Sequence, residues 1–378
     1  MKKIVVASDS FKGSLSSKDV AESAARGVHQ IYPDCEVIEI NVADGGEGTV
    51  DAVVEALGGS LITIDVKGPL DAPVAATYGI AGTTAIIEMA SASGLPLIAV
   101  EERDPAKTST YGTGEMILDA IKRGCRNFLV GIGGSATNDA GTGMLQALGF
   151  KFIDAQGNEI ERCCGGILGD IAKIDDSQVP TEVRESIFTI ACDVDTPFCG
   201  PIGAAYVFAP QKGASPQMVE ALDNGMASFA KVIEQKYSLD IVPVAGAGAA
   251  GGMGGAFRAF LNGTLRSGVE MVLDAIDFNS RIADADLVIT GEGKVDFQTP
   301  KGKTAAGVLA RTKKAGIPTV AIGGCVEPCD ELNAMGFAGI YPILEEKVPL
   351  EVAMQRDFAS ANVTKTVARI IGELRVKN

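Results

Sequence analysis

Four polar side chains able to bind an anion or a cation lie within five consecutive positions of a glycine-rich segment, residues 131–143. They are Ser135, Thr137, Asn138 and Asp139. An apolar run precedes the segment and another follows it, so the pattern predicts a strand, a loop and the start of a helix. Glycine lets a ligand approach backbone N–H groups closely, and the free N–H groups of a helix N-terminus attract anions. We interpret the segment as a phosphate or cation site, with an ordinary turn as the alternative.

Charged side chains recur in loops that follow predicted strands. The carboxylates are Asp9, Asp44, Glu47, Asp193, Glu292 and Asp296. Oxygen ligands of this kind suit Mg²⁺, although each carboxylate alone could equally be a helix cap or a solvated group. The cations lie in similar glycine-flanked loops and could each bind a phosphate or carboxylate or be solvated: Lys12, Arg103, Lys212 and Lys303.

Two segments match the glycine spacing of a dinucleotide-binding fingerprint, residues 131–136 and residues 246–251. Such a match is weak evidence, and two rival matches weaken each other. Asp139 would also repel a bare pyrophosphate. The second segment allows close helix packing, and contact between its backbone and a ligand stays open as the alternative. A P-loop is excluded because Phe297 stands where that motif requires glycine.

The elements that must position these residues form two patterns along the chain. Near the N-terminus, predicted strands at 4–7 and 37–40 flank a helix capped by Ser16 or Ser17, and strand–helix alternation returns from residue 286. Between them the segments are shorter and alternate in polarity. We predict an α/β fold with a doubly wound domain from residues 1–66 and 284–378, and an inserted α/β domain, residues 67–283, that carries the glycine-rich loop. Ligands of doubly wound sheets bind at the carboxyl ends of the strands.

Composition narrows the class of function. The 378 residues are 46% hydrophobic and 21% charged, as in a globular protein, and the net charge of −15 argues against nucleic acid as a partner. The eight cysteines contain no CxxC pair, and His29 is the single histidine, which we expect on the surface. A zinc site, a disulfide framework and Ser–His or Cys–His catalysis are therefore not expected. With no long apolar run, we expect a cytoplasmic protein with no membrane partner.

In combination, these segments closely resemble the class I glycerate kinase family. The matching stretches follow the family order over nearly the whole chain: residues 9–16, 43–49, 103–105, 131–139, 191–194, 211–214, 246–252 and 290–293, then Asp296, Gln298, Gly302 and Lys303. The chain departs from the family pattern at Ser8, Gly13 and Ala140, where proline, glutamate and glycine are common. The resemblance implies a Rossmann- or flavodoxin-like domain with an inserted restriction-endonuclease-like domain. It also implies ATP- and Mg²⁺-dependent phosphorylation of D-glycerate, with 2-phosphoglycerate as product.

On this basis we assign expected roles to individual residues. Asp193 is the first choice for the base that accepts the hydroxyl proton and Asp296 the second, with Lys12 as a further catalytic group. The remaining roles are substrate binding by Ser10, Phe11, Arg103 and Lys303, nucleotide binding by Gly133, Gly134, Ser135, Thr137 and Asn138, and metal binding by Asp44 and Asp139. Two alternatives stay open: a kinase for another small hydroxy acid or for the 3-hydroxyl, and a non-catalytic nucleotide or anion sensor. Homo-oligomer formation also stays open.

Overall fold

The computed structural model describes residues 1–46, 48–344, 346 and 348–377. For residues 376 and 377 it describes the backbone only. Its strands are β1 Lys3–Ser8, β2 Glu36–Asn41, β3 Ser60–Lys67, β4 Pro73–Ala81, β5 Thr84–Glu88, β6 Asn127–Gly131, β7 Lys151–Asp154, β8 Ile171–Asp175, β9 Ile187–Ala191, β10 Thr264–Arg266, β11 Leu287–Val295, β12 Thr319–Val326 and β13 Gly339–Pro342. Its helices are α1 Ser17–Ile31, α2 Thr49–Leu57, α3 Ala90–Ser93, α4 Tyr111–Lys122, α5 Thr142–Ala147, α6 Thr181–Glu185, α7 Ala204–Phe208, α8 Pro216–Tyr237, α9 Ala249–Phe260, α10 Gly268–Ala275, α11 Phe278–Arg281, α12 Thr304–Ala315, α13 Asp330–Ala334, α14 Leu350–Ala353 and α15 Arg356–Lys377.

The chain divides into two compact units. Unit 1 contains Met1–Asp44, Glu55–Leu57 and Val269–Asn378, and unit 2 contains Gly45–Val54 and Gly58–Gly268. Each unit has its own sheet and its own hydrophobic core.

Unit 1 is built on a parallel sheet with the strand order β13-β12-β11-β1-β2. Alternate apolar residues of the central strands, such as Ile4, Val6 and Ile289, pack with α1 and α15. The sequence explains where α1 begins: the Ser16 hydroxyl accepts the N–H of Asp19, and the Asp19 carboxylate accepts the N–H of Ser16. Numbered within the unit, the order is 2-1-3-4-5, the flavodoxin-like arrangement that the sequence predicted.

Unit 2 is built on a mixed sheet with the order β10-β9-β6-β5-β4-β3. Strands β10, β9, β6 and β5 run parallel, whereas β5, β4 and β3 pair antiparallel. A core of aromatic side chains, including the stacked rings of Phe128 and Phe188, lies against this sheet. The separate hairpin β7-β8 completes the strands described for the unit.

The predicted division of the chain differs from these units at both boundaries. A boundary after residue 66 would separate β3 from β4, but the two strands form a hairpin paired from Ser60 to Lys67. A boundary after residue 283 would remove most of α10 from unit 1, but Arg311 of α12 contacts Glu270 and Asp274 of α10. The pairing of β3 with β4 and the contacts between α10 and α12 therefore decide which unit each of these segments belongs to.

Further sequence-based expectations concern single segments. His29 is exposed, as expected, and all eight cysteines are free thiols. Lys212 lies in a short 3₁₀ turn that follows α7. None of the helices in the described part of the chain has the length and apolar character needed to cross a membrane.

Candidate active site

In unit 1, the predicted site residues gather at the carboxyl ends of β1, β2 and β11. The chain connections leave β1 and β11 in opposite directions along the sheet, and this switch point is where doubly wound sheets bind ligands. Asp9 directly follows β1, Asp44 follows β2, and Glu292 lies in the last half of β11. The topology therefore brings three of the predicted carboxylates to one edge of the sheet.

Asp9 is held in place by short hydrogen bonds. Its Oδ1 accepts the N–H of Ser10 at 2.6 Å, and its Oδ2 accepts the hydroxyl of Thr304, the first residue of α12, at 2.9 Å. Burial and the nearby Asp44 carboxylate raise the pKa of Asp9, against the lowering effect of these hydrogen bonds and of Lys12. Two carboxylates that repel each other in this way form a favourable environment for a cation.

Lys303 lies between two further carboxylates. Its Nζ is 3.3 Å from Oε2 of Glu292 and 3.9 Å from Oδ1 of Asp296. Burial raises the pKa of Glu292, although Thr299 and Lys303 oppose it. Burial also acts to raise the pKa of Asp296, but the N–H of Gln298 and the charges of Lys303 and Lys294 outweigh it, so this pKa is lowered. Asp296 is therefore an ion-paired carboxylate at neutral pH, and Lys303 is a shared counter-ion.

The loop after β1 supplies groups of different kinds. Lys12 is exposed and Ser10 is half-buried, so both can meet a ligand. Phe11 does not fit its predicted substrate-binding role, because its side chain is buried in the core of unit 1 with Leu15 and Val20. By packing in this apolar core, the Phe11 side chain instead stabilises the loop that follows β1.

In unit 2, the corresponding edge is formed by β5, β6 and β9. Gly131, the last residue of β6, is paired with Glu88 of β5 and with Ala191 of β9. Asp193, two residues beyond β9, is exposed, and its two carboxylate oxygens accept the N–H of Gly268 at 3.1 and 3.3 Å. The glycine-rich loop therefore lies between two acidic side chains at the carboxyl edge of the sheet.

The predicted nucleotide-binding residues fall into two groups by burial. Gly133 and Gly134 are exposed, and Gly134 has a φ of +75°, which only glycine adopts without strain. Ser135 is 8% exposed, whereas Thr137 and Asn138 are completely buried. The helix begins only at Thr142, so residues 133–138 form a loop before it, with a turn at Gly133 and Gly134 and a β-bridge between Ser135 and Gly94. For this reason residues 131–136 do not form a dinucleotide-binding fingerprint, in which the helix would start within them.

The second glycine-rich segment packs beneath this loop. A Cβ atom on Gly251 would lie 2.1 Å from the carbonyl oxygen of Thr137, and the Gly251 carbonyl accepts the N–H of Ala140 at 2.9 Å. Ala250, Gly251 and Gly252 all have positive φ, so regular helix in α9 starts after them. The segment therefore supports the loop by close backbone contact, as its composition predicted.

Asp139 is completely buried and its carboxylate is fully engaged with protein donors. Oδ2 accepts the N–H and the hydroxyl of Thr110 at 2.8 and 2.7 Å and the N–H of Gly143 at 3.2 Å, while Oδ1 accepts the N–H of Gly141 at 3.1 Å. Burial raises the pKa of Asp139, against the effect of these four hydrogen bonds. Such an environment favours a structural role over the predicted metal-binding role, because the carboxylate is completely buried and both of its oxygens already accept hydrogen bonds from the protein.

Lys212 is almost fully buried, at 2% exposure, against the same loop. Its Nζ donates to the Ser135 hydroxyl oxygen at 2.7 Å and to the Thr137 carbonyl at 2.5 Å. Burial lowers the pKa of Lys212 to about 7, and the charge of Asp139 opposes this shift only in part. The sequence indicated Lys212 as one of four candidate cations, but its buried position beneath the glycine-rich loop comes from the tertiary structure.

Arg103 lies beside the Lys212 turn. A Cβ atom on Gly213 would lie 2.3 Å from the Arg103 carbonyl oxygen, so the two backbones are in direct contact. The Nε of Arg103 is buried, and no hydrogen-bond acceptor for it occurs among the described residues. A buried guanidinium donor without a partner is suited to an anionic ligand such as a carboxylate or a phosphate.

The arrangement of acidic groups bears on the predicted magnesium site. No group of three or more His, Cys, Asp or Glu residues within the described ranges is placed to hold a metal ion. Mg²⁺ commonly uses one or two carboxylates and completes its shell with water and phosphate, so the neighbouring Asp9 and Asp44 fit its requirements. Glu47, the other acidic residue of that loop, lies outside the described residues.

Several residues of these edges were not singled out from the sequence. Glu88 is the last residue of β5 and accepts the N–H of Val50 at 2.9 Å. The apolar pattern of that strand was the only sequence feature that could have pointed to Glu88. Thr304 was predicted only as the start of a helix, and its contact with Asp9 joins residues 295 positions apart. A strand-end carboxylate is recognisable from sequence once the strand is identified, but a partner so distant in the chain is not.

Comparison with known proteins agrees with the fold and extends over almost the entire chain. The model of the Glycerate kinase family matches residues 4–375. A glycerate kinase of Bacillus cereus is 44% identical, with 97% of each chain covered, and a glycerate 2-kinase of Escherichia coli K12 is 44% identical, with 97% of this chain and 98% of the relative covered. A crystal structure assigned as a glycerate kinase 2 from Salmonella typhimurium LT2 superposes with a TM-score of 0.91 at 42% identity, covering 100% of this chain and 99% of that one. Because these similarities span both units, the chain belongs to the glycerate kinase family.

Proposed function

We propose that the protein is an ATP- and Mg²⁺-dependent kinase that phosphorylates D-glycerate at its 2-hydroxyl. The observation that carries this proposal is the full-length similarity to a relative named glycerate 2-kinase, at 44% identity. Phosphoryl transfer requires positioned reactants and neutralised charge more than covalent catalysis. Two features support such a reaction: unit 2 has exposed glycines in the loop after β6, and unit 1 has a cluster of carboxylates.

Nucleotide phosphates are assigned to the turn at Gly133 and Gly134 and to the Ser135 hydroxyl. These groups are exposed or at the surface edge, and they follow the strand at the centre of the unit 2 sheet. Thr137 and Asn138 are reassigned from nucleotide contact to support, because both are completely buried. Exposed glycine amides permit the close backbone approach that phosphate binding requires.

Asp44 is assigned to Mg²⁺, with Asp9 as the neighbouring carboxylate. The ion would neutralise negative charge on the phosphate oxygens when bound. The repulsion between Asp9 and Asp44, which raises the pKa of Asp9, supports the assignment because a cation would relieve it.

Recognition of D-glycerate is assigned to the cationic groups Lys12 and Arg103, with Ser10 and Lys303 as further contacts. The substrate carries one carboxylate, and the unpartnered Nε of Arg103 is a donor suited to it. Lys303 also balances Glu292 and Asp296, so its contribution includes the electrostatics of the acidic cluster.

Asp193 remains the first choice for the base and Asp296 the second. Asp193 is exposed at the carboxyl end of β9, and the N–H of Gly268 fixes the orientation of its carboxylate. Asp296 has a lowered pKa and two lysine neighbours, which makes it a weaker base.

The experiment that tests the proposal is ATP consumption with D-glycerate and Mg²⁺, with the product identified by ³¹P NMR. A phosphomonoester coupled to a single C–H proton is the expected result. Coupling to a CH₂ group would move phosphorylation to the 3-hydroxyl, turnover with another hydroxy acid alone would change the acceptor, and ATP binding without any turnover would contradict the kinase assignment.

A further inference from the structure

Ser135 joins the exposed part of the glycine-rich loop to the buried Lys212. It directly follows the exposed residues Gly133 and Gly134 and is itself 8% exposed. Its hydroxyl oxygen accepts a hydrogen bond from Lys212 Nζ at 2.7 Å. Ser135 therefore links the buried lysine to the exposed glycines that precede it in the loop.

The direction of this hydrogen bond determines what the serine can do. In its protonated form the Lys212 side chain has three donors and no acceptor, so the proton of the Ser135 hydroxyl then points elsewhere. Within the part of the chain that the structure describes, no acceptor for that proton is found. The hydroxyl thus keeps a free donor next to the turn at which we place an anion.

Lys212 also restrains the loop at a second point. Its Nζ donates to the carbonyl oxygen of Thr137 at 2.5 Å, two residues beyond Ser135. A single buried side chain consequently fixes both the backbone of the loop and the rotamer of the serine, and it adds positive charge behind the hydroxyl.

We propose that Lys212 is a positioning residue that orients the Ser135 hydroxyl as a hydrogen-bond donor to an anionic oxygen of the ligand. The inference rests on the proposed function for the identity of that ligand. The proposed function assigns this oxygen to a phosphate of ATP; the carboxylate of D-glycerate offers the same chemistry, and separate binding measurements distinguish the two.

The test uses the full-length protein with Ser135→Ala, Ser135→Thr, Lys212→Met and the double variant Ser135→Ala/Lys212→Met. Lys231→Met and Ser228→Ala, both on exposed positions of α8, are matched controls. Calorimetry gives the dissociation constants of Mg-ATP and of D-glycerate separately, and steady-state kinetics gives kcat and both KM values. Thermal unfolding of each variant shows that it is folded.

Ser135→Ala is expected to weaken binding of one ligand by about 10- to 100-fold, as for loss of one hydrogen bond to a charged group. Lys212→Met should weaken binding of the same ligand by a similar factor. The double variant should bind that ligand no more weakly than the more affected single variant, and Ser135→Thr should retain wild-type affinity. Loss of Mg-ATP affinity identifies the phosphate as the acceptor, and loss of D-glycerate affinity identifies the carboxylate.

Multiplicative effects in the double variant, or a Lys212→Met variant that melts earlier but binds both ligands normally, would overturn the inference. If Lys212→Met does not fold, the two serine variants still decide, because unchanged affinities in Ser135→Ala would remove the proposed donor. The wild type could show no turnover of D-glycerate while the single and double variants lose affinity for one ligand to the same extent. That result would refute the proposed function and leave the inference standing.

Discussion

Replacement of Asp139 by asparagine separates a structural role from a metal-binding role. The carboxylate accepts four hydrogen bonds, three at Oδ2 and one at Oδ1. Asparagine has a single acceptor oxygen, which can keep the three bonds at the Oδ2 position. Its NH₂ group must then face the N–H of Gly141, so one buried donor loses its partner.

The size of the effect follows from this geometry. A buried donor without a partner costs about 1–3 kcal/mol, and the three remaining bonds lose the assistance of the negative charge. Removal of a buried charge offsets part of this cost, since burial already raises the pKa of Asp139. We expect Asp139→Asn to lower the free energy of unfolding by about 2–4 kcal/mol.

The assay is urea unfolding followed by circular dichroism without nucleotide or Mg²⁺, then repeated with Mg²⁺. Asp170→Asn, at an exposed position of the same unit, is the control, with an expected change below about 0.5 kcal/mol. An Asp139→Asn protein that unfolds at the wild-type urea concentration without Mg²⁺, but requires more Mg²⁺ for activity, would refute the structural role and support the metal role.

Four further predictions follow from the same structure. Asp193→Asn should reduce kcat by about 10²- to 10⁴-fold with little change in KM; a loss confined to KM would assign the residue to binding. Phe11→Ala should lower the free energy of unfolding by about 3–5 kcal/mol while the KM for D-glycerate stays constant, whereas a raised KM in the folded variant would restore its substrate-binding role. Burial lowers the pKa of Lys212 from 10.5 to about 7, so between these two pH values the unfolded state binds a proton that the folded state does not. The free energy of unfolding therefore rises with pH over this range. The stability of the wild type relative to Lys212→Met should therefore increase by about 2 kcal/mol between pH 7 and pH 9, and a constant difference in urea unfolding would contradict the shifted pKa. Gly134→Ala should lower the free energy of unfolding by about 1–2 kcal/mol because its φ is +75°, while Gly133→Ala, whose added Cβ would meet its nearest neighbour at an ordinary contact distance of 3.9 Å, should lower it less in the same unfolding assay.

Local features of the fold could be predicted because they depend on residues close together in the chain. The cap at the start of α1, predicted at Ser16 or Ser17 and observed at Ser16, and the strands predicted at residues 4–7 and 37–40 follow from short-range patterns. The family resemblance could also be predicted, and the full-length similarity to glycerate kinases confirms it. The α/β class follows from the same alternation of strands and helices.

The assignment of individual polar residues could be predicted only in part. Residues 133–139 were correctly predicted to form a loop after a strand, but their composition does not reveal which side chains face solvent. Thr137 and Asn138 are buried because the second glycine-rich segment packs on them from more than one hundred positions away. Phe11 likewise lies in an otherwise polar segment and enters the core through contacts with distant elements.

The amino-acid sequence by itself determined the order of the elements, the family and the set of polar loops, since local propensity, glycine placement and charge are properties of short segments. Only the tertiary structure decided that Lys212 holds Ser135, that Asp139 is saturated by four donors and that β3 pairs with β4. The physical reason is that burial and hydrogen bonding depend on which distant segments meet, and these determine whether a polar side chain supports the loop or is available to a ligand.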